Sequence, residues 1–168
     1  MNRKKFIKNS VGGVAVLVIN PFQSIAKGYA DIEPYKLETV KEFVIAGHGK
    51  LDVVKQMLQE YPNLLYSRYD WGNGDFEEAI EGAGHVGNKE IAQYLIEKGA
   101  RANIYVLTML GETSIVKAIL ERYPSLLNGK GPHGLSLLHH AKAGGESSKE
   151  LYSYFEEKGL KEMKFNIK

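Results

Sequence analysis

The feature that most constrains this chain is that it aligns with itself. Segments Gly49–Leu58, Gly87–Ile96 and Gly111–Leu120, and a last one through Leu151–Phe155, share one apolar pattern at offsets of 38, 24 and 36 residues. Together these offsets come close to three periods of about 33 residues. Val53, Ile91, Ile115 and Leu151 form one column and Val54, Ala92, Val116 and Tyr152 the next. Met57, Leu95, Ile119 and Phe155 form the third, and Leu58, Ile96, Leu120 and Glu156 the fourth. Positions i, i+1, i+4 and i+5 make a broad apolar stripe on a helix and do not fit the alternation of a strand. One such helix cannot bury its stripe alone, so neighbouring units must stack. Glu156 suits a terminal unit whose outer face nothing covers. The uneven offsets place insertions in the loops between helices.

Two kinds of helix ending alternate along the chain. Leu58–Leu65 and Leu120–Leu127 share five of eight residues, and in both a Tyr-Pro pair (Tyr61-Pro62, Tyr123-Pro124) follows the stripe. Proline disfavours helical backbone in the residue before it, so these helices stop there. The other two copies run into Lys98-Gly99 and Lys158-Gly159, where glycine can supply a left-handed C-terminal cap.

Gly134-Leu-Ser-Leu-Leu-His-His-Ala141 resembles the Gly-x-Thr-Pro-Leu-His-x-Ala turn of ankyrin repeats, with Ser136 in place of Thr and Leu137 in place of Pro. The run from Gly87 to Asn103 is similar to the second helix and the Gly-Ala-x-x-Asn exit of the same family. The resemblance spans roughly residues 37–160. It implies an all-α, helix-turn-helix solenoid of about four repeats with irregular loops, over residues 31–168. It departs from the family pattern in copies one and three, which lack the Thr-Pro-Leu-His turn, and in copy two, which carries Glu78-Ala-Ile-Glu81 there.

Residues 1–26 read differently. Arg3, Lys4, Lys5 and Lys8 precede a continuous apolar run, Val11–Ile19, closed by Asn20-Pro21, with no acid before residue 27. Small residues follow at Ser24 and Ala26, and again at Gly28 and Ala30. This is the order of an export signal peptide, with cleavage expected after residue 26 or 30. The run is too short for a membrane span, which needs about 20 apolar residues. Asn2–Lys8 resembles the twin-arginine export motif with Lys4 in the second arginine's place, leaving both that route and the general secretory route open. A periplasmic or secreted protein is expected, without stable membrane insertion after cleavage.

The whole chain carries a formal charge of +2. The signal segment holds four uncompensated positive charges, which leaves −2 on the remainder. A near-neutral domain has no electrostatic footprint for nucleic acid. The absence of cysteine excludes disulfides, a thiol nucleophile and a thiolate zinc site.

Five histidines are the obvious chemical candidates: His48, His85, His133, His139 and His140. No two have the i, i+4 spacing of a helical metal site, and no His-Glu-x-x-His occurs. His139 occupies the position that the ankyrin resemblance makes a structural turn histidine, and His48 and His85 read as turn residues. No serine lies in a Gly-x-Ser-x-Gly elbow and no phosphate loop is present. Asp52, Glu90 and Glu150 start outer helices, where an acid suits the helix dipole. The segment Tyr69–Phe76 holds the single tryptophan, two acids and two glycines in the longest gap between outer helices. Trp71 there reads either as a plug between repeats or as an interface anchor.

By analogy with ankyrin repeats, the expected function is binding of an unidentified protein partner, by a monomer or weak dimer without cofactor, metal or catalysis. The expected contacts are Trp71, Asp75, Phe76, Glu78, Glu81, His85, Tyr105, Met109, His133 and His140. The alternative is a hydrolase or metal-dependent enzyme using His85, His133 and His140 with Asp70, Asp75 or Glu81.

Overall fold

The computed structural model describes residues 33–167, so the expected export segment lies outside the described residues. The stripes become helices: α1 (Leu37–Ala46), α2 (Leu51–Glu60), α3 (Ala79–Val86), α4 (Lys89–Glu97), α5 (Ile104–Leu110), α6 (Thr113–Arg122), α7 (Leu137–Gly144) and α8 (Lys149–Glu157). Among the described residues the one sheet is a two-stranded antiparallel hairpin, β1 (Tyr69–Asp70) with β2 (Phe76–Glu77). The described residues are therefore all-α apart from that hairpin. No described helix is long and apolar enough to cross a membrane.

Each odd helix packs on the even helix that follows it, and α1, α3, α5 and α7 pack against one another in sequence. Helix α3 also reaches α7 directly, past the short α5. The second apolar column carries most of the burial: Val54, Ala92 and Val116 are fully buried. Leu95 and Phe155 of the third column are buried as well. Ile115, expected in the core, is 46% exposed, because α6 buries the i, i+4 pair Val116 and Leu120 and turns its neighbour outward. Glu156 is exposed, as a terminal position should be.

The helix endings follow the local chemistry. Tyr61 and Tyr123 close α2 and α6 in nearly the same non-helical conformation, φ −130° and −131°, and each leads into a 3-10 turn starting at proline. Gly99 and Gly159 adopt left-handed backbone, and the next amide bonds back to Leu95 and Phe155 respectively. The side chains of Asn88, Asn103 and Ser136 accept amide hydrogen bonds at the starts of α4, α5 and α7. Glu78 and Glu81 form a reciprocal capping box at the start of α3.

Three contacts set up the functional region. The hairpin lies against α1 and against the 3-10 turn Pro132–Gly134. The segment after α8 returns to this turn, with Phe165 N–H donating to Gly134 O at 2.7 Å and Ser136 N–H to Met163 O at 3.0 Å. Gly47 allows the end of α1 to meet the start of α3, since a Cβ there would lie 2.3 Å from the Ala79 carbonyl oxygen.

Candidate metal centre

Glu77 is where the chain brings its charges together. It ends β2 and is fully buried, while its neighbour Phe76 points outward and is 46% exposed. A buried carboxylate needs partners, and Glu77 has four. Trp71 Nε1–H donates to its Oε2 at 2.8 Å, and His85 Nε2 meets Oε1 at 2.8 Å. His48 Nε2 is 3.4 Å from Oε1 and His133 Nε2 is 3.5 Å from Oε2. Burial opposes ionisation of Glu77, but hydrogen bonds and charge from His48 and His85 outweigh it and hold the carboxyl down at about 2. In turn the bond to Glu77 raises the His48 pKa, against the effect of burial.

All three imidazoles present Nε2 to the Glu77 carboxylate, and two have the opposite nitrogen fixed. His48 Nδ1–H donates to Val44 O at 3.1 Å, so Nε2 is the nitrogen that can lose its proton to bind an ion. Asp75 clamps His133 twice, accepting its backbone N–H on Oδ1 at 2.7 Å and its Nδ1–H on Oδ2 at 2.8 Å. That clamp holds His133 in left-handed backbone, φ 59°, which costs a non-glycine residue energy. A carboxylate behind an imidazole is the usual outer support of a metal-bound histidine. Gly82 on α3 makes room for the His48 ring, since a Cβ would stand 2.8 Å from its Cε1 and Nδ1.

Ligand atoms of His48, Glu77, His85 and His133 all lie within 4.8 Å of one another. Two donors about 2.1 Å from one ion, at tetrahedral or octahedral angles, are about 3.0–3.4 Å apart. The separations of 2.8, 3.4 and 3.5 Å from Glu77 to the three nitrogens straddle that range. The remaining donor pairs lie within 4.8 Å, so the side chains must draw in around an ion to complete the set. Loading would displace the proton that His85 shares with Glu77, so it would be coupled to proton release. Three imidazole nitrogens and one carboxylate suit Zn²⁺, Fe²⁺, Co²⁺, Ni²⁺ or Cu²⁺ rather than Mg²⁺ or Ca²⁺.

No family model matches this chain, and no curated protein or solved structure matches it.

The structure brings together His85, His133, Asp75 and Trp71 of the expected residues. His140 does not join them: it is buried, its Nδ1–H bonds Ser136 O at 2.7 Å, and its Nε2 has no partner among the described residues. Burial lowers the His140 pKa to about 4. Glu81 is also elsewhere, bonding the Glu78 amide, Asn103 Nδ2 and Arg68. Asp70 accepts the Gly72 amide within the hairpin turn. His139 donates Nε2–H to His85 O at 2.9 Å, a structural bond between α7 and α3.

As partner contacts, several expected residues are spent inside the protein. Met109 and His140 are buried and Glu78 and Glu81 nearly so, so they present little surface. Trp71 is half-buried against the core and bonded to Glu77, which makes it both a partial plug and a support of the centre. Tyr105 is half-buried; burial pushes its phenol up to about 12. It lines a cavity of about 400 Å³ with Arg68, Phe76, Glu81 and Lys130, and of the centre's residues only Asp75 reaches that cavity.

The sequence shows no metal-ligand spacing, yet the fold gathers four groups that could hold an ion. His48 and Glu77 were missed. One signal for Glu77 was present: in extended backbone, residues 75 and 77 share a face, and Asp75-Phe76-Glu77 reads as two acids opposite an exposed aromatic.

Proposed function

We propose that this protein binds one divalent transition-metal ion per chain through Nε2 of His48, His85 and His133 and the Glu77 carboxylate. The observation that carries this reading is the convergence of three Nε2 atoms on one fully buried carboxylate, with Nδ1 of His48 and His133 held by acceptors. The scaffold is read as an ankyrin-type stack. Its support is the sequence of paired helices and the Ser136 cap where the family has threonine. The export-type residues 1–26 support action outside the cytoplasm.

Isothermal titration of the chelator-treated protein with Zn²⁺ tests the reading. One site per chain is expected, lost in His85→Ala and in Glu77→Gln. Binding that persists unchanged in both variants would sink the proposal. Partner binding becomes secondary, because most of the expected contact residues already have partners within the fold.

A further inference from the structure

We infer that the centre keeps an exchangeable coordination position for a small anionic ligand, and that Trp71 keeps it open by holding Glu77 to one metal-facing oxygen. This rests on the metal-binding reading above and adds what the ion is exposed to.

The donor count comes first. An indole N–H can only donate, and Trp71 Nε1–H is directed at Oε2 of Glu77 at 2.8 Å. Oε1 faces His48 and His85, at 3.4 and 2.8 Å, and His133 faces Oε2 at 3.5 Å. The indole bond engages Oε2 and leaves Oε1 as the oxygen without a tryptophan partner, so Glu77 binds through one oxygen and the protein set is three nitrogens and one oxygen. No other His, Asp or Glu joins the group among the described residues. Asp75 cannot swing in, since its two oxygens hold the backbone and ring of His133.

Exposure then shows from which side a further ligand arrives. The Glu77 side chain is 0% exposed and that of His85 12%, whereas those of His48 and His133 are each 29% exposed. The hairpin and α3 close the inner side, and solvent reaches the centre past His48 and His133. Divalent metals that accept imidazole readily take a fifth or sixth ligand when the protein leaves one side open. Charge selects its class. A divalent ion with Glu77 bound and Asp75 behind His133 is close to neutral, and the added positive charge that favours an anion comes from the Lys41 ammonium, 5.8 Å from the Trp71 ring centre and 5.5 Å from that of Tyr69. An anionic oxygen or nitrogen donor is favoured over a neutral one.

The test uses the full chain loaded with Co²⁺, and azide as the probe. Wild type should show visible d–d bands that azide changes saturably. In Trp71→Phe, Oε2 is free to chelate, so azide affinity should fall by about tenfold or more, the usual scale for loss of an outer-shell partner. Bound Co²⁺ whose spectrum ignores azide would overturn the open position. An equal azide response in Trp71→Phe would overturn the role of Trp71. Failure of wild type to bind Co²⁺ at all would instead defeat the underlying metal reading. Should Trp71→Phe not fold, X-ray absorption of the wild-type cobalt protein decides the same point. One short carboxylate oxygen plus an exchangeable light donor supports the inference, and a chelating carboxylate with no such donor refutes it.

Discussion

Gly82→Ala should separate metal binding from folding. The added Cβ would stand 2.8 Å from Cε1 and Nδ1 of His48. Carbon contacts become comfortable near about 3.5 Å, so the ring must retreat by about 0.7 Å or swing outward. The ring is part-exposed and can move, at the loss of its bond to Val44 and its contact with Glu77, a cost of about 1–2 kcal/mol. Alanine in place of a mid-helix glycine returns about 1 kcal/mol. Ion-free stability should therefore change by less than about 1 kcal/mol. Metal binding has no such offset, because Nε2 of His48 leaves the donor set; a loss of about 10–100-fold in affinity is expected. At a zinc concentration about 100 times the wild-type Kd, zinc stabilises wild type by about 2.7 kcal/mol and the variant by about 0.4–1.4 kcal/mol. At about 3.5 °C per kcal/mol for a domain of this size, the zinc-induced rise in Tm drops from about 9 °C to about 1–5 °C. Thermal melts with EDTA and with zinc read both quantities. Equal zinc-induced shifts in the two proteins would refute the assignment of His48 as a ligand.

Asp75→Asn should weaken zinc about 10–100-fold while every direct ligand remains; titration calorimetry measures it, and an unchanged affinity would remove Asp75 from the centre's support. Leu95→Ala, at a position 1% exposed on α4, should destabilise the protein by about 2–5 kcal/mol in urea melts. The same substitution should leave zinc stoichiometry unchanged, since Leu95 lies on α4, which carries none of the four ligands; loss of the site would show that the centre cannot outlast a local packing defect. His140 should make the fold acid-sensitive. Its folded pKa of about 4 lies below the ordinary 6.5, so the unfolded chain binds the extra proton first as pH falls. Stability present above about pH 6.5 is then lost on the way down through about pH 4, by up to about 3 kcal/mol. Melts at pH 7 and pH 4.5 should show a smaller loss in His140→Phe than in wild type, and equal losses would contradict the assignment.

The sequence by itself determined the parts of this protein that short-range physics controls. The stripe of Val54, Ala92 and Val116 needs only helical periodicity, and each of these residues is buried. Tyr61 and Tyr123 end their helices because the following proline forbids continuation, and Gly99 and Gly159 turn left-handed because glycine alone does so cheaply. The side-chain cap at Ser136 is local as well, acting on the amide of His139 three residues away. The centre was not readable in the same way. His48 and His133 are 85 positions apart, and Glu77 is one of 20 acidic residues with no local mark of burial beyond its alternation with Phe76. What gathers them is the packing of the hairpin on α1 and on the Pro132–Gly134 turn. The hairpin's packing also decided that Trp71 turns inward to Glu77, and the seating of α6 on Val116 and Leu120 that Ile115 faces water. Periodicity and turn chemistry act over a few residues, so a chain displays them along its length. Convergence of donors depends on how whole helices and loops meet, and only the folded arrangement places four distant side chains around one point.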